Sequence, residues 1–73
     1  MTKLQVVIAD SLDISLEEVV PSLQFKNHPS WDSLAALSLL TSIEDEFGVI
    51  LSGSDFLILS TVSDLSEMIT ARS

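Results

Sequence analysis

Between Asp32 and Gly48 the sequence writes out a helix with both of its ends. Ala36, Leu39, Leu40, Ile43 and Phe47 recur at i, i+3, i+4, i+7 and i+11, one apolar face of an α-helix. Asp32 suits the N-cap, where a carboxylate accepts from first-turn amides, and Gly48 supplies the left-handed residue that ends a helix. The spacing predicts a helix over 33–47 with Ala35, Ser38, Ser42, Asp45 and Glu46 on its polar face. A second stripe, Leu34, Leu37 and Thr41, is left over about 90–130° around from the first. One helix of a small bundle rarely buries that much of its circumference. Either a loop covers the surplus stripe or it is a docking surface.

The rest of the chain reads as support for this helix. Leu4, Val7, Ile8 and Leu12, broadened by Val6, predict a helix over 3–12, with Thr2 able to cap it. Asp10 and Asp13 lie at the wrong end for the helix dipole, so the helix stops near Leu12. Ser15-Leu16-Glu17-Glu18 is a capping box, with Ile14 and Val19 at the hydrophobic-staple positions, and Pro21 keeps the turn brief. From Pro21 to Trp31 a long loop follows, with Leu23 and Phe25 as core plugs; long ordered loops are often functional. Val49-Ile50-Leu51 reads as a buried extended link. A single helical turn is expected over Phe56-Leu57-Ile58, capped by Asp55 or Ser54. The last helix starts at Thr61, with Asp64 at N3, and buries Val62, Leu65, Met68 and Ile69; Arg72 suits the dipole at its far end. The expected fold is all-α: three substantial helices, one or two minor helical turns and a long first loop, forming a single domain over 1–73.

Charge narrows the function. Eleven acidic residues face three basic ones, Lys3, Lys26 and Arg72, for a net charge of −8. Such a surface repels nucleic-acid phosphates and anionic membranes. It favours encounter with basic patches on other proteins, unless the acidity serves only solubility; charge alone leaves both open. A composition 47% hydrophobic supports a core rather than a disordered acidic tail. With no cysteine and one histidine there is neither a disulfide framework nor a thiolate or zinc site, and the acidic clusters lack the register of a calcium loop. No apolar run approaches the ~20 residues of a membrane span, and Met1-Thr2-Lys3-Leu4 is not a signal-peptide start, so a cytoplasmic setting is expected.

A serine hydrolase is disfavoured. The nucleophile would be Ser33 with His28 as base, but a bundle this small offers little shielded cleft, and His28 sits before a proline in a polar loop. Ser33 fits a different use. With Asp32 as N-cap, Ser33 falls at N1, its hydroxyl is free of capping duty and projects to solvent, and a phosphate ester there would meet the positive end of the helix. Taken by itself, the Asp-Ser pair is also ordinary capping chemistry.

The wider pattern closely resembles the acyl/peptidyl carrier protein family. Asp32-Ser33-Leu34 opens a helix that ends Ile43-Glu44-Asp45-Glu46-Phe47-Gly48-Val49. Leu16-Glu17-Glu18-Val19, Phe25 and Thr61-Val62-Ser63-Asp64-Leu65 fall in the family's order and spacing. The resemblance implies a small four-helix bundle, three main helices plus a short third one. It implies no catalytic residues and a non-enzymatic carrier, a discrete, stand-alone monomer, that bears 4′-phosphopantetheine covalently on Ser33. The arm's thiol would carry acyl, aminoacyl or polyketide intermediates as thioesters. Implied partners are a phosphopantetheinyl transferase, a loading ligase, and synthase or transferase enzymes with basic patches. Asp32, Leu34, Leu37, Glu44, Asp45 and Glu46 would form the recognition face. Trp31 before Asp32, and Ala35 and Ser38 where acids are common, make the first turn more apolar than in fatty-acid carriers. Pro29-Ser30-Trp31-Asp32-Ser33-Leu34 looks more like carriers of specialised pathways. Leu39, Ile43, Phe56, Ile58 and Ile69 could line a space for cargo or could be close-packed core. The rival reading is an unmodified acidic module that only docks partners.

Overall fold

The computed structural model describes residues 3–72. It is an all-helical bundle of four helices, α1 (Lys3–Leu12), α2 (Ser33–Phe47), α3 (Gly53–Ile58) and α4 (Val62–Arg72), with single 3₁₀ turns at Leu16–Glu18 and Phe25–Asn27. The expected Thr2 cap lies outside the described residues.

α1 packs on α2 in an antiparallel sense. Its first residue, Lys3, reaches Glu46 at the far end of α2 at 3.5 Å, while Ser11 and Leu12 share a cleft with Ala35 and Ser38 at the near end. Asp13 ends α1 in the left-handed region, φ 54°, a conformation aspartate tolerates better than most residues. The Glu18 carboxylate takes the Ser15 N–H at 3.3 Å, as the capping box requires, while Val19 is buried and Ile14 packs on the core. Gln5 ties this turn to α1 by donating to the Val19 carbonyl at 3.0 Å.

The long loop is anchored at its beginning, middle and end. Val62 and Ser63 donate backbone N–H groups to the Leu23 and Pro21 carbonyls, stapling the loop's start to α4. Phe25 is fully buried, as its alternation with polar neighbours predicts, and Leu23 packs partly against the core. Trp31 closes the loop against Phe25 and Phe56, in edge-to-face contacts at 5.3 and 5.6 Å between ring centroids; Phe25 and Phe56 stand 6.2 Å apart. Such pairs add about 0.5–1.5 kcal/mol each beyond the area they bury.

Several details differ from the sequence reading. Ala35 is buried, not on the polar face, so the core side of α2 is Ala35, Leu39 and Ile43, with Ala36, Leu40 and Phe47 half-buried beside it. An alanine has little apolar weight in a periodicity, and the position of α1 decides which way it faces. Val6 is exposed, and Ala9 takes the corresponding place in the core of α1. In the 49–51 link Val49 and Leu51 are buried but Ile50 is exposed, the alternation of an extended chain lying on a core. α3 begins earlier than expected, with Ser52 as N-cap and Asp55 at N3. The Asp55 carboxylate accepts from the Ser52 N–H at 2.8 Å. Of the possible cargo-lining residues, Leu39, Ile43, Phe56 and Ile69 belong to one close-packed core, whereas Ile58 is exposed. Met68 is only partly buried.

Asp55 also receives Arg72, whose two terminal nitrogens each lie 2.8 Å from a carboxylate oxygen. Arg72 therefore joins α4 to α3 rather than only capping its own helix. The Arg72 guanidinium, then the Ser52 amide, hold the Asp55 carboxyl far below the usual carboxylate range. Asp64 is lowered as well, by the Thr61 and Ser60 amides it accepts from.

Two consequences follow for stability. Phe25→Ala removes the largest fully buried side chain and two ring contacts, and should cost about 3–5 kcal/mol in urea unfolding. A carboxyl whose folded pKa lies below its unfolded value, 3.8 for Asp55, contributes stability that is complete above that value. That contribution is lost as pH falls through the folded pKa. Asp55→Asn should thus be less stable than wild type at neutral pH, and the gap in urea midpoint should narrow steadily below about pH 4.

Candidate functional site

α2 is started by its cap. Asp32 has an extended backbone, and its Oδ1 accepts the Ala35 N–H at 2.8 Å while its carbonyl accepts the Ala36 N–H at 2.9 Å. Gly48 closes the helix in the left-handed region, φ 69°, donating to Glu44 O at 2.9 Å. Open space surrounds the position a Cβ would take there, so the backbone conformation rather than crowding calls for glycine.

Ser33 is the first helical residue and is exposed. With Asp32 serving the first-turn amide, no group among the described residues holds the Ser33 hydroxyl. It is a free alcohol at the positive end of a four-turn helix, a place where an attached phosphate would meet unpaired N–H groups.

His28 is turned to other work. Its Nδ1 accepts the Ser30 N–H at 3.0 Å, its Nε2 stands 3.7 Å from Glu18 Oε1, and its carbonyl accepts the Trp31 N–H at 2.9 Å. It is backbone-bonded rather than poised as a base. It organises the loop leading to Ser33, and no Ser–His pair of the hydrolase kind forms. Among the described residues no three acidic or histidine side chains gather around a common point suited to a metal.

The surplus stripe stays uncovered. Leu34 is 77% exposed and Leu37 61%, with Thr41 exposed below them, its hydroxyl donating to Leu37 O. Glu44, one heptad beyond Leu37, shares this outer face. The remaining acids divide. Asp32 sits at the helix start beside Leu34, in an open cleft with Ser11, Asp13, Ser30 and Ser38. Asp45 lies at the edge of the outer face, where with Glu46, Lys3, Val6 and Asp10 it lines a groove along α1. Glu46 is about 180° around α2 from Leu37 and pairs with Lys3. Of the six recognition residues read from sequence, Leu34, Leu37 and Glu44 thus share one surface, Asp32 and Asp45 border it, and Glu46 faces away.

Sequence reasoning missed the aromatic contact that holds the approach to Ser33. Trp31, immediately before the cap, is fixed by Phe25 from the loop and Phe56 from α3. The only signal was that the chain's single tryptophan stands beside the cap.

The carrier resemblance is met by comparison with known proteins. A family model described as a phosphopantetheine attachment site matches residues 2–69. The chain is 33% identical over 72 residues to the acyl carrier protein of Thermosynechococcus vestitus, covering 99% of this chain and 89% of that protein. It is 33% identical over 69 residues to the acyl carrier protein of Cyanidium caldarium, covering 94% of this chain and 80% of that one. The chain therefore belongs to the phosphopantetheine-attachment family of carrier proteins, with phosphopantetheine as its cofactor.

Proposed function

We propose that Ser33 is the residue that bears the 4′-phosphopantetheine arm, and that the protein carries acyl, aminoacyl or polyketide intermediates on it between partner enzymes. The observation that carries this reading is the exposed, unpartnered hydroxyl at N1 of α2, freed by the Asp32 cap. Such a hydroxyl fits a phosphodiester link: it is accessible to a transferase, and the ester's charge would stand at the helix N-terminus. The bound arm supplies a thiol for thioester formation. The chain's own part is to hold Ser33 in place and present a surface that partners recognise.

That surface is the outer face of α2. Leu34 and Leu37 form an apolar centre, and Asp32, Glu44 and Asp45 surround it with negative charge suited to basic partner patches. Glu46, turned toward Lys3, contributes through the field rather than by contact. The unmodified docking module uses the same face but needs no free serine.

Incubation with coenzyme A and a broad-specificity phosphopantetheinyl transferase, read by intact mass, distinguishes the two. A single phosphopantetheine adduct on the wild type, absent from Ser33→Ala, is the expected result. An unmodified wild type would leave only the docking reading. In the same assay, Glu44→Lys with Asp45→Lys should slow modification roughly tenfold at low salt, with the difference shrinking as ionic strength rises. Equal rates at every salt concentration would make the acidic face a solvated surface with no part in recognition.

A further inference from the structure

α3 is the most lightly held helix in the fold. Of its residues only Phe56 is buried, and its neighbours Leu57 and Ile58 are 82% and 73% exposed. Two polar ties fasten it: the Lys26 ammonium donates to the Phe56 carbonyl, and Arg72 grips Asp55. Both the apolar anchor and the first tie lead into the loop before Ser33. Phe56 meets Phe25 and Trp31 edge-on, and Lys26 is the residue next to Phe25.

Trp31 is the last residue before the Asp32 cap. It is only partly buried, so the core does not enclose it. It packs against the core, where the two rings and its N–H bond to the His28 carbonyl hold it. One rigid peptide unit joins Trp31 to Asp32, so the ring contacts constrain where the chain enters the cap, and the Asp32 carboxylate fixes the first turn of α2 through Ala35. A displacement of α3 thus has a short physical route to Ser33: Phe56, Trp31, Asp32.

We infer that Trp31 is a positioning residue for Ser33, and that through its contact with Phe56 the seating of α3 sets how firmly the capped serine is presented. The inference rests on Ser33 being the modified residue. Contact with the exposed Leu57–Ile58 side of α3 would reach the loop without touching Ser33, through the contacts of Phe56 with Phe25 and Trp31.

The informative variant is Phe56→Leu. Phe56 is buried on a different helix, so it offers no surface to a transferase, yet it supplies one of the two ring contacts to Trp31. Trp31→Leu removes both ring contacts, and Trp31→Phe keeps a ring. In the full chain, hydrogen exchange at the Ala35 amide reads the cap, and exchange at the amide of Ile43, well inside α2 with its side chain fully buried, reads opening of the core. The ratio of the two separates loosening of the cap from general destabilisation. It should rise roughly tenfold in Phe56→Leu and Trp31→Leu and stay near the wild-type value in Trp31→Phe. In the transferase assay, kcat for Phe56→Leu should fall roughly tenfold, with KM for the carrier unchanged because the docking face is untouched. A wild-type exchange ratio in Phe56→Leu, or an unchanged kcat, would overturn the inference. If wild-type protein takes no phosphopantetheine, the carrier reading fails instead, and the exchange ratio still decides whether α3 controls the cap.

Discussion

The site depends on the bond between the Asp32 carboxylate and the Ala35 amide. A helix must satisfy its first N–H groups from outside, and the residue just before it usually does so. Had Ser33 been the N-cap, its hydroxyl would have been consumed in that bond. With Asp32 in the role, Ser33 becomes the first helical residue, and its side chain has no structural task. The Asp-Ser order therefore separates holding the helix from presenting the hydroxyl. It also sets two demands against each other, because the cap carboxylate puts negative charge where a phosphate would come. The amides of the first turn and exposure to water offset that repulsion.

The cap is only as well placed as the loop that delivers it. A loop of about ten residues would ordinarily be mobile in so small a domain. Here its start is bonded to α4, its middle sinks Phe25 into the core, and its end rests on Phe56. His28 adds a local brace by taking the Ser30 N–H while facing Glu18 across the first crossover. Nearly every element outside α2 touches this loop, which is how a chain of 73 residues gives one serine a defined position.

The large outlines were legible because each long element carries redundant signals. For α2 the cap, the 3.6-residue period and Gly48 agree, and both ends fall where they were read. α1 and α4 follow for the same reason. The failures fall where signals are short or equivocal. In Ser52-Gly53-Ser54-Asp55 three residues can cap, and only the backbone decides between them in favour of Ser52. Ile50 and Ile58 lie in segments too short to have a period, so hydrophobicity suggested burial and the structure exposes them. Ala35 faces the core because α1 lands on that side, a fact of tertiary packing absent from the local sequence. Within the site, the free serine and the surplus leucine stripe were readable from helical geometry, while only the structure shows that no loop covers the leucines. The division of the acids between two faces of α2 follows from the same period, with Glu46 nine residues from Leu37, and was overlooked; the ring contact joining α3 to the serine loop links residues far apart in the chain.

Electrostatics ties the fold to its surroundings. The chain has three basic side chains, and each is engaged: Lys3 with Glu46, Lys26 with the Phe56 carbonyl, Arg72 with Asp55. All three engagements lie away from the outer face of α2, on the α1 flank or around α3. The acids bordering Leu34 and Leu37, Asp32, Glu44 and Asp45, are left without a lysine or arginine partner among these pairs, and their share of the net charge of −8 reaches solvent there. A basic surface approaching that face meets an unneutralised field and then an apolar centre. Long-range attraction would orient such an encounter, and burial of the two leucines would give a complex its short-range affinity. Charge of this kind mainly sets how fast partners arrive. If the protein passes its cargo from one enzyme to another as proposed, fast arrival and a small apolar contact would serve it, since a larger contact would slow departure.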